Sequence, residues 1–99
     1  MILANVTLDA DGFLANPDDW TREIAEEFAR EADIELTDRH WEVIDFCRKD
    51  FADKGAAPTI RRIGKIGGIP TKEMYSLFPG GPGILAAKIS GLGKPTGCI

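Results

Sequence analysis

Glycine and proline divide the second half of the chain into short segments, and this punctuation restricts the fold more than any other sequence feature. Proline cannot continue an established helix, and glycine commonly follows the last turn of one. Gly55 ends one stretch of apolar periodicity, and later breakers end three more. The pattern predicts three short helices after residue 55, running from Pro58 to Gly67-Gly68, from Pro70 to Phe78 and from Pro82 to Gly91.

Two further helices are predicted before these breakers. Asn16 is suited to cap a helix and Pro17 to occupy its first position. Apolar residues then recur every four positions, at Trp20, Ile24 and Phe28. Thr37 is the predicted cap of the second helix, which ends at Lys54-Gly55. Its inward positions follow helical spacing and comprise His40, Val43 or Ile44, Cys47 and Phe51.

The N-terminal segment predicts a β-hairpin over residues 2–15. ILANVTL contains β-forming residues, DADG is a turn signal, and Phe13 and Leu14 resume an extended segment. Two strands alone are marginally stable, so the hairpin is expected to pack on the helices. The predicted fold class is α+β and mostly α, with a β-hairpin or meander packed on about five helices within residues 17–90.

The last nine residues, 91–99, are predicted to form a mobile C-terminal arm. Four of the nine are glycine or proline, and a chain terminus is a poor place to bury side chains. If extended, the arm would reach up to about 30 Å. Cys98 would then be an exposed thiol one residue from the end. Cys47, on the apolar face of the second helix, is expected to be buried and inert.

Length and residue usage limit the class of protein. A chain of 99 residues builds a single domain around one core. No apolar run approaches the roughly 20 residues of a membrane span, and acids stand where a signal peptide carries bases. Two cysteines and one histidine provide few ligands for a structural zinc ion. We therefore expect a cytoplasmic protein without a structural metal or a membrane association.

Charge is distributed unevenly along the chain. Residues 1–50 hold 14 acids and 5 bases, whereas residues 51–99 hold 2 acids and 7 bases. The basic half can face an acidic protein, a phosphate group or the acidic half of its own fold. Arg61 and Lys65 lie four residues apart and so share one face of the third helix.

Three further observations concern candidate site residues. Lys94 favours the thiolate of Cys98, which the terminal carboxylate opposes. His40 packs against a neighbouring element, helps to satisfy a helix cap, or pairs with Cys98 as the base of a nucleophile. The stretch Ile60–Ile63 also resembles the second helix of a helix-turn-helix, so a DNA-binding regulator is an alternative. The net charge of −4 and the lack of Asn or Gln on that helix argue against it, and direct nucleic-acid binding is not expected.

Four stretches of sequence resemble the DsrC/TusE family of sulfur-carrier proteins: HWEVIDFCRKDF, AAPTIRRIGK, YSLFPGGP and KISGLGKPTGCI. The terminal GLGKPTGCI is the most specific, since this family ends in a glycine- and proline-containing arm with a penultimate cysteine. The resemblance implies that Cys98 carries sulfur as a persulfide without a cofactor. It implies a relay component rather than a stand-alone enzyme. The implied donor is TusBCD- or DsrEFH-like, and the implied acceptor is a tRNA 2-thiouridylase or a sulfite reductase.

The resemblance also bears on the branch of the family. Members serving dissimilatory sulfite reductase carry a second cysteine eleven residues before the penultimate one, and here that position is Ala87. This implies a single-cysteine relay, as in tRNA 2-thiouridine synthesis. The KPTGC ending is closer to the dissimilatory branch, so a single-cysteine carrier in sulfur oxidation or sulfite reduction is the alternative. The family positions that His40, Arg61 and Lys65 match make them, with Lys94, the partner-docking candidates.

Overall fold

The structure, a computed structural model, describes residues 6–93 of the 99. Within that range five α-helices follow a short 3₁₀ helix at Pro17–Asp19. The helices are α1 (Arg22–Glu31), α2 (Asp38–Lys54), α3 (Ile60–Lys65), α4 (Thr71–Leu77) and α5 (Pro82–Ile89). The five predicted helices are therefore confirmed, and none of those between residues 6 and 93 is long and apolar enough to cross a membrane.

The prediction of an N-terminal β-hairpin, and with it the α+β class, is wrong. The described residues contain no β-strand, and Leu8 and Leu14 form a single isolated antiparallel bridge. The predicted turn does form, since Asp9 N–H donates to the Phe13 carbonyl over 2.7 Å. Phe13 N–H, however, donates to the Asp9 carboxylate over 2.9 Å. A side-chain acceptor thus takes a donor that a ladder would use. The remaining backbone bond, from Ala15 N–H to the Thr7 carbonyl over 2.9 Å, completes the single bridge, and residues 2–5 of the predicted hairpin lie outside the described residues.

The first α-helix begins later than the cap signal predicts. Asn16 does cap, because its Oδ1 accepts from Asp18 N–H over 3.0 Å, but the turn it starts is the 3₁₀ helix. Trp20 is extended, with φ −66° and ψ 139°, and Thr21 Oγ1 accepts from Ile24 N–H as the cap of α1. The Trp20 indole donates to the Ile89 carbonyl over 2.9 Å, and this tertiary bond accompanies the break between the two helices.

Helix α5 lies at the centre of the body and contacts α1, α2 and α4. Its sequence is apolar on nearly all sides, as expected for a helix enclosed by others. Ala86, Ala87 and Ile89 are all buried. They pack among the inward residues of α1 and α2, and Phe13 and Leu14 of the N-terminal segment complete the same core.

The chain continues from α5 into the core. Gly91 adopts φ +76°, a left-handed conformation that favours glycine, and Leu92 N–H donates to the Ala87 carbonyl over 2.9 Å. Leu92 is 0 % exposed. The first two residues of the predicted arm, Gly91 and Leu92, are thus part of the packed body. The free energy that burial of the Leu92 side chain contributes exceeds the conformational entropy that these two residues lose. The rest of the predicted arm, residues 94–99, lies outside the described residues.

Candidate functional site

The predicted sulfur-carrying residue, Cys98, and the neighbouring Lys94 lie outside the described residues. The structure instead defines the segment that precedes them in the sequence. Leu92 is buried, and Cys98 follows it by six positions. The end of α5 is therefore the described region that lies nearest to Cys98 along the chain.

Two side chains that the sequence interpretation missed hold this point. Besides the Trp20 indole bond to Ile89, Arg48 of α2 donates to the Ser90 carbonyl over 2.8 Å and to the Pro17 carbonyl over 3.1 Å. The guanidinium carbon of Arg48 lies 4.4 Å from the centre of the Trp20 ring. A cation at the carboxyl end of a helix also interacts favourably with the partial negative charge there. We call Trp20, Arg48, Ser90, Gly91 and Leu92 the C-terminal anchor.

The second cysteine is sealed inside the same region. Cys47 is 1 % exposed, and burial raises the pKa of its thiol to about 12, an effect that Asp50 reinforces and nearby Ser90 partly offsets. The Ser90 hydroxyl makes no hydrogen bond of good geometry with a described residue. A thiol with so high a pKa is almost entirely protonated at neutral pH, and nucleophilic sulfur chemistry requires the thiolate. The predicted burial of Cys47 is confirmed.

His40 lies in the body rather than on its surface. It is 5 % exposed, and its Nδ1 accepts from Thr37 N–H over 3.0 Å. Its Nε2 therefore carries the proton and donates to the Leu77 carbonyl over 2.7 Å. The ring also meets Phe78 edge-on at 5.1 Å between centroids. Because both ring nitrogens are hydrogen-bonded, His40 joins the start of α2 to the end of α4. This arrangement indicates a structural role for the side chain.

The basic residues of α3 separate into one engaged and two exposed side chains. Arg62 makes a two-pronged ion pair with buried Asp50 of α2, both bonds at 2.8 Å. That hydrogen-bonded pairing lowers the pKa of Asp50. Arg61 and Lys65 are exposed and form no salt bridge with another described residue. They stand on the face of α3 opposite buried Ile63.

A further ion pair missed from the sequence joins α2 to α4. Arg39 donates from Nε and Nη2 to the Glu73 carboxylate over 2.8 and 2.9 Å, which lowers the pKa of Glu73. The signal that could have found these residues is weak. The sequence shows Arg39 only as one arginine on a partly polar helix face. Its ion pair between helices can be identified only once the position of Glu73 is known. Between residues 6 and 93, no group of three or more His, Cys, Asp and Glu side chains could hold a metal ion.

The described residues thus define a small helical domain that seals in one thiol and holds the carboxyl end of α5 with side chains from distant segments. Comparison with known proteins identifies its family. The model of the family described as DsrC like protein matches residues 3–99. The chain belongs to that family.

Relatives and solved structures agree with this assignment. The chain is 42% identical over 94 residues to the dissimilatory-type sulfite reductase subunit gamma of Nitratidesulfovibrio vulgaris, covering 93% of this chain and 89% of the relative. It is 40% identical over 101 residues to the sulfurtransferase TusE of Photorhabdus laumondii, covering 95% and 91%. The NMR structure of Allochromatium vinosum DsrC superposes with a TM-score of 0.81 at 38% identity, covering 95% and 90%. The resemblance and the sulfur-relay carrier function predicted from the sequence are confirmed.

Proposed function

We propose that the carrier accepts sulfane sulfur as a persulfide on Cys98 and transfers it to an acceptor enzyme. The observation that supports this most strongly is the contrast between the two cysteines. Cys47 is buried with a raised pKa, so it cannot present a thiolate to a partner. The chain contains one other cysteine, Cys98, six positions after Leu92 in the sequence. An unperturbed thiol has a pKa of about 8.5 and supplies some thiolate at neutral pH.

The proposed loading step needs no oxidant or reductant. The Cys98 thiolate attacks the terminal sulfur of a donor persulfide, and a new S–S bond forms at Cys98. The S–S bond of the donor breaks, and the donor sulfur leaves as a thiolate with the electron pair. Transfer to the acceptor repeats the exchange in the same sense and regenerates the Cys98 thiolate. Six residues reach at most about 20 Å when extended, enough to enter a pocket of each partner in turn.

The branch that we propose is sulfur transfer for tRNA 2-thiouridine synthesis, with a TusBCD-like donor and a tRNA 2-thiouridylase as acceptor. Ala87, where the resemblance places the second cysteine of the dissimilatory members, is 2 % exposed inside α5. A single-cysteine carrier for a sulfite reductase is the second candidate, favoured by the 42% identity to the gamma subunit. The cytoplasmic location predicted from the sequence belongs to the same proposal.

A DNA-binding regulator is the least supported alternative. Helix α3 has six residues, so it is only about 9 Å long. Arg62 is occupied by Asp50, which leaves two cations on a very short helix. Such a helix presents few side chains to a major groove, where specific recognition uses several residues along one helix.

Intact-mass analysis tests the chemistry on Cys98. After incubation with glutathione persulfide, the wild-type chain should gain about 32 Da, the mass of one sulfur atom. Cys98→Ser should gain nothing, whereas the matched variant Cys47→Ala should load like the wild type. Loading of Cys98→Ser to the wild-type extent would contradict the proposal.

Transfer of label tests the branch. Carrier loaded with ³⁵S on Cys98 is presented to a purified tRNA 2-thiouridylase with tRNA and ATP. Label recovered in the tRNA supports the thiouridine branch. Loaded carrier that leaves the tRNA unlabelled, while a TusE protein labels it under the same conditions, contradicts that branch.

A further inference from the structure

An open apolar slot lies at the amino end of α5, far along the helix from the C-terminal anchor. Its cavity volume is about 260 Å³, and its lining is Ile60, Tyr75, Gly80, Gly81, Pro82, Gly83 and Ile84. Tyr75 is 58% exposed and Ile84 38% exposed. Large apolar side chains with this much exposed surface, gathered round one concavity, mark an interaction site.

The glycine run keeps the slot open. A Cβ added at Gly80 or at Gly81 would have no atom of residues 6–93 within 4 Å, so no described side chain or backbone covers this stretch. Gly80 adopts φ +92°, a conformation that other residues rarely adopt. The chain thus passes the mouth of the slot as bare backbone, which gives a partner access to both walls.

Exposed cations lie on two of the helices that line the slot. Ile60 forms one wall, and exposed Arg61 and Lys65 follow it on the outer face of α3. Tyr75 forms part of another wall, and exposed Lys72 lies three residues before it, on the neighbouring position of the α4 surface.

Acidic side chains are scarce in the same part of the chain. Glu73 is the one acid in residues 54–93, and Arg39 holds it in a two-pronged ion pair. Lys88, the cation of α5, faces the core aromatic residues, with its Nζ 5.5 Å from the centre of the Phe28 ring. The exposed cations of α3 and α4 therefore outnumber the unpaired acids in this stretch, and this charge balance favours an acidic occupant.

The size and lining of the slot favour a side chain over a free metabolite. Pockets for small-molecule ligands usually have volumes of about 300–1,000 Å³ and several convergent polar groups. This slot is smaller, and its lining side chains offer a single polar group, the Tyr75 hydroxyl. Interface hot spots have the matching form, a buried aromatic or aliphatic anchor within a polar rim.

We propose that the slot is the docking site for an acidic segment of a partner protein, which inserts one aromatic or branched aliphatic side chain between Ile60 and Tyr75. Carboxylates flanking that anchor pair with Arg61, Lys65 and Lys72. The proposal rests on the proposed function, since the partner is a protein of the sulfur relay. Docking at the amino end of α5 leaves the C-terminal anchor, at the other end of that helix, uncovered.

The full chain can be titrated with a labelled peptide of six glutamates around a central tryptophan, with amide NMR shifts as the position readout. The largest shifts are expected at Ile60, Tyr75 and Gly80–Ile84. Tyr75→Ala should weaken binding about tenfold, as should the same peptide with alanine in place of tryptophan. Arg61→Glu with Lys65→Glu should weaken it about tenfold at low salt and less at high salt. The matched control Lys49→Glu, an exposed position on α2, should change binding less than about twofold.

Four outcomes would overturn the proposal: no binding at millimolar peptide, shifts centred outside the slot, displacement of the peptide by tRNA with tRNA itself binding more tightly, or a dimer of the chain that Tyr75→Ala abolishes. Loading of Cys98 from glutathione persulfide separates this result from the proposed function. A small donor needs no docking surface, so Tyr75→Ala should load like the wild type. Failed docking with intact loading rejects the slot alone, whereas failed loading rejects the function.

Discussion

The two ends of α5 differ in how the protein treats them. At the carboxyl end, Trp20 and Arg48 satisfy the Ile89 and Ser90 carbonyls, and the chain continues as buried Leu92. At the amino end, glycine-rich backbone borders an open slot between Ile60 and Tyr75. One end is held rigidly by bonds to distant segments, and the other is left accessible.

The difference shows how a small carrier can divide its tasks. In the proposed function the anchor fixes the segment that precedes Cys98. In the proposed docking the slot is the surface that a partner meets. Burial and hydrogen bonding serve the first need, whereas exposed apolar and charged side chains serve the second.

The largest expected effect concerns the thiol sealed beside the anchor. Under native conditions at pH 8, iodoacetamide should modify Cys47 at least about a hundredfold more slowly than Cys98, because burial and a pKa of about 12 leave almost no reactive thiolate. Mass spectrometry of the two tryptic peptides over time measures both rates. In urea the two rates should converge. Equal rates in the native protein would show that the anchored end opens freely.

The next effect separates packing from backbone strain at the two ends. Gly91 and Gly80 both adopt positive φ, but a Cβ at Gly91 would approach Trp20 Cγ to 2.6 Å whereas one at Gly80 meets open space. Gly80→Ala should cost about 1–2 kcal/mol from strain alone. Gly91→Ala should cost about 2–5 kcal/mol because overpacking adds to that strain.

Urea unfolding followed by tryptophan fluorescence measures both variants. If the two substitutions destabilise the chain equally, then Trp20 does not pack tightly on Gly91 and the contrast between the ends is weaker than described. A larger loss for Gly80→Ala would reverse it.

The smallest effect concerns the ion pair that ties α3, the helix of Ile60, to α2, and it depends on pH. The ion pair with Arg62 holds the pKa of Asp50 below its usual range, so the pair stabilises the fold above the unfolded-state pKa of about 4. That contribution is lost as the pH falls through the lower folded-state pKa. Asp50→Asn should therefore reduce the urea midpoint at pH 7, and its difference from the wild type should shrink below pH 4.

A control and a contrary outcome complete this experiment. Asp45→Asn, at an exposed position on the same helix, should change the midpoint little at either pH. A difference between Asp50→Asn and the wild type that stays constant down to pH 2 would mean that Arg62 does not stabilise the ionised form of Asp50.

Much of the helical body could be predicted from local chemistry. Thr37 and Gly55 bound α2 as the cap signals indicate, and Pro82 opens α5. Cys47 could be placed in the core because helical spacing alone puts it beside Val43 and Ile44. The existence of the docking candidates Arg61 and Lys65 on an outer helix face followed from the same periodicity.

The N-terminal pairing and the roles of the arginines could not be predicted in this way. Whether Phe13 N–H donates to a backbone carbonyl across the turn or to the Asp9 carboxylate depends on which acceptor the folded geometry brings within reach. Arg61 and Arg62 are adjacent and chemically identical. The position of Asp50, twelve residues earlier on another helix, decides that Arg62 is tied and Arg61 is not.

The sequence by itself determined the helices, the buried position of Cys47 and the family. Caps, breakers and apolar spacing act over a few residues, and the family motif GLGKPTGCI is a continuous stretch of sequence. Only the tertiary structure decided which side chains hold the carboxyl end of α5 and which ones line the exposed slot. Trp20 meets Ile89 across 69 positions, and the slot borders three helices. Contacts between distant segments depend on how the helices pack together, and no local pattern encodes that arrangement.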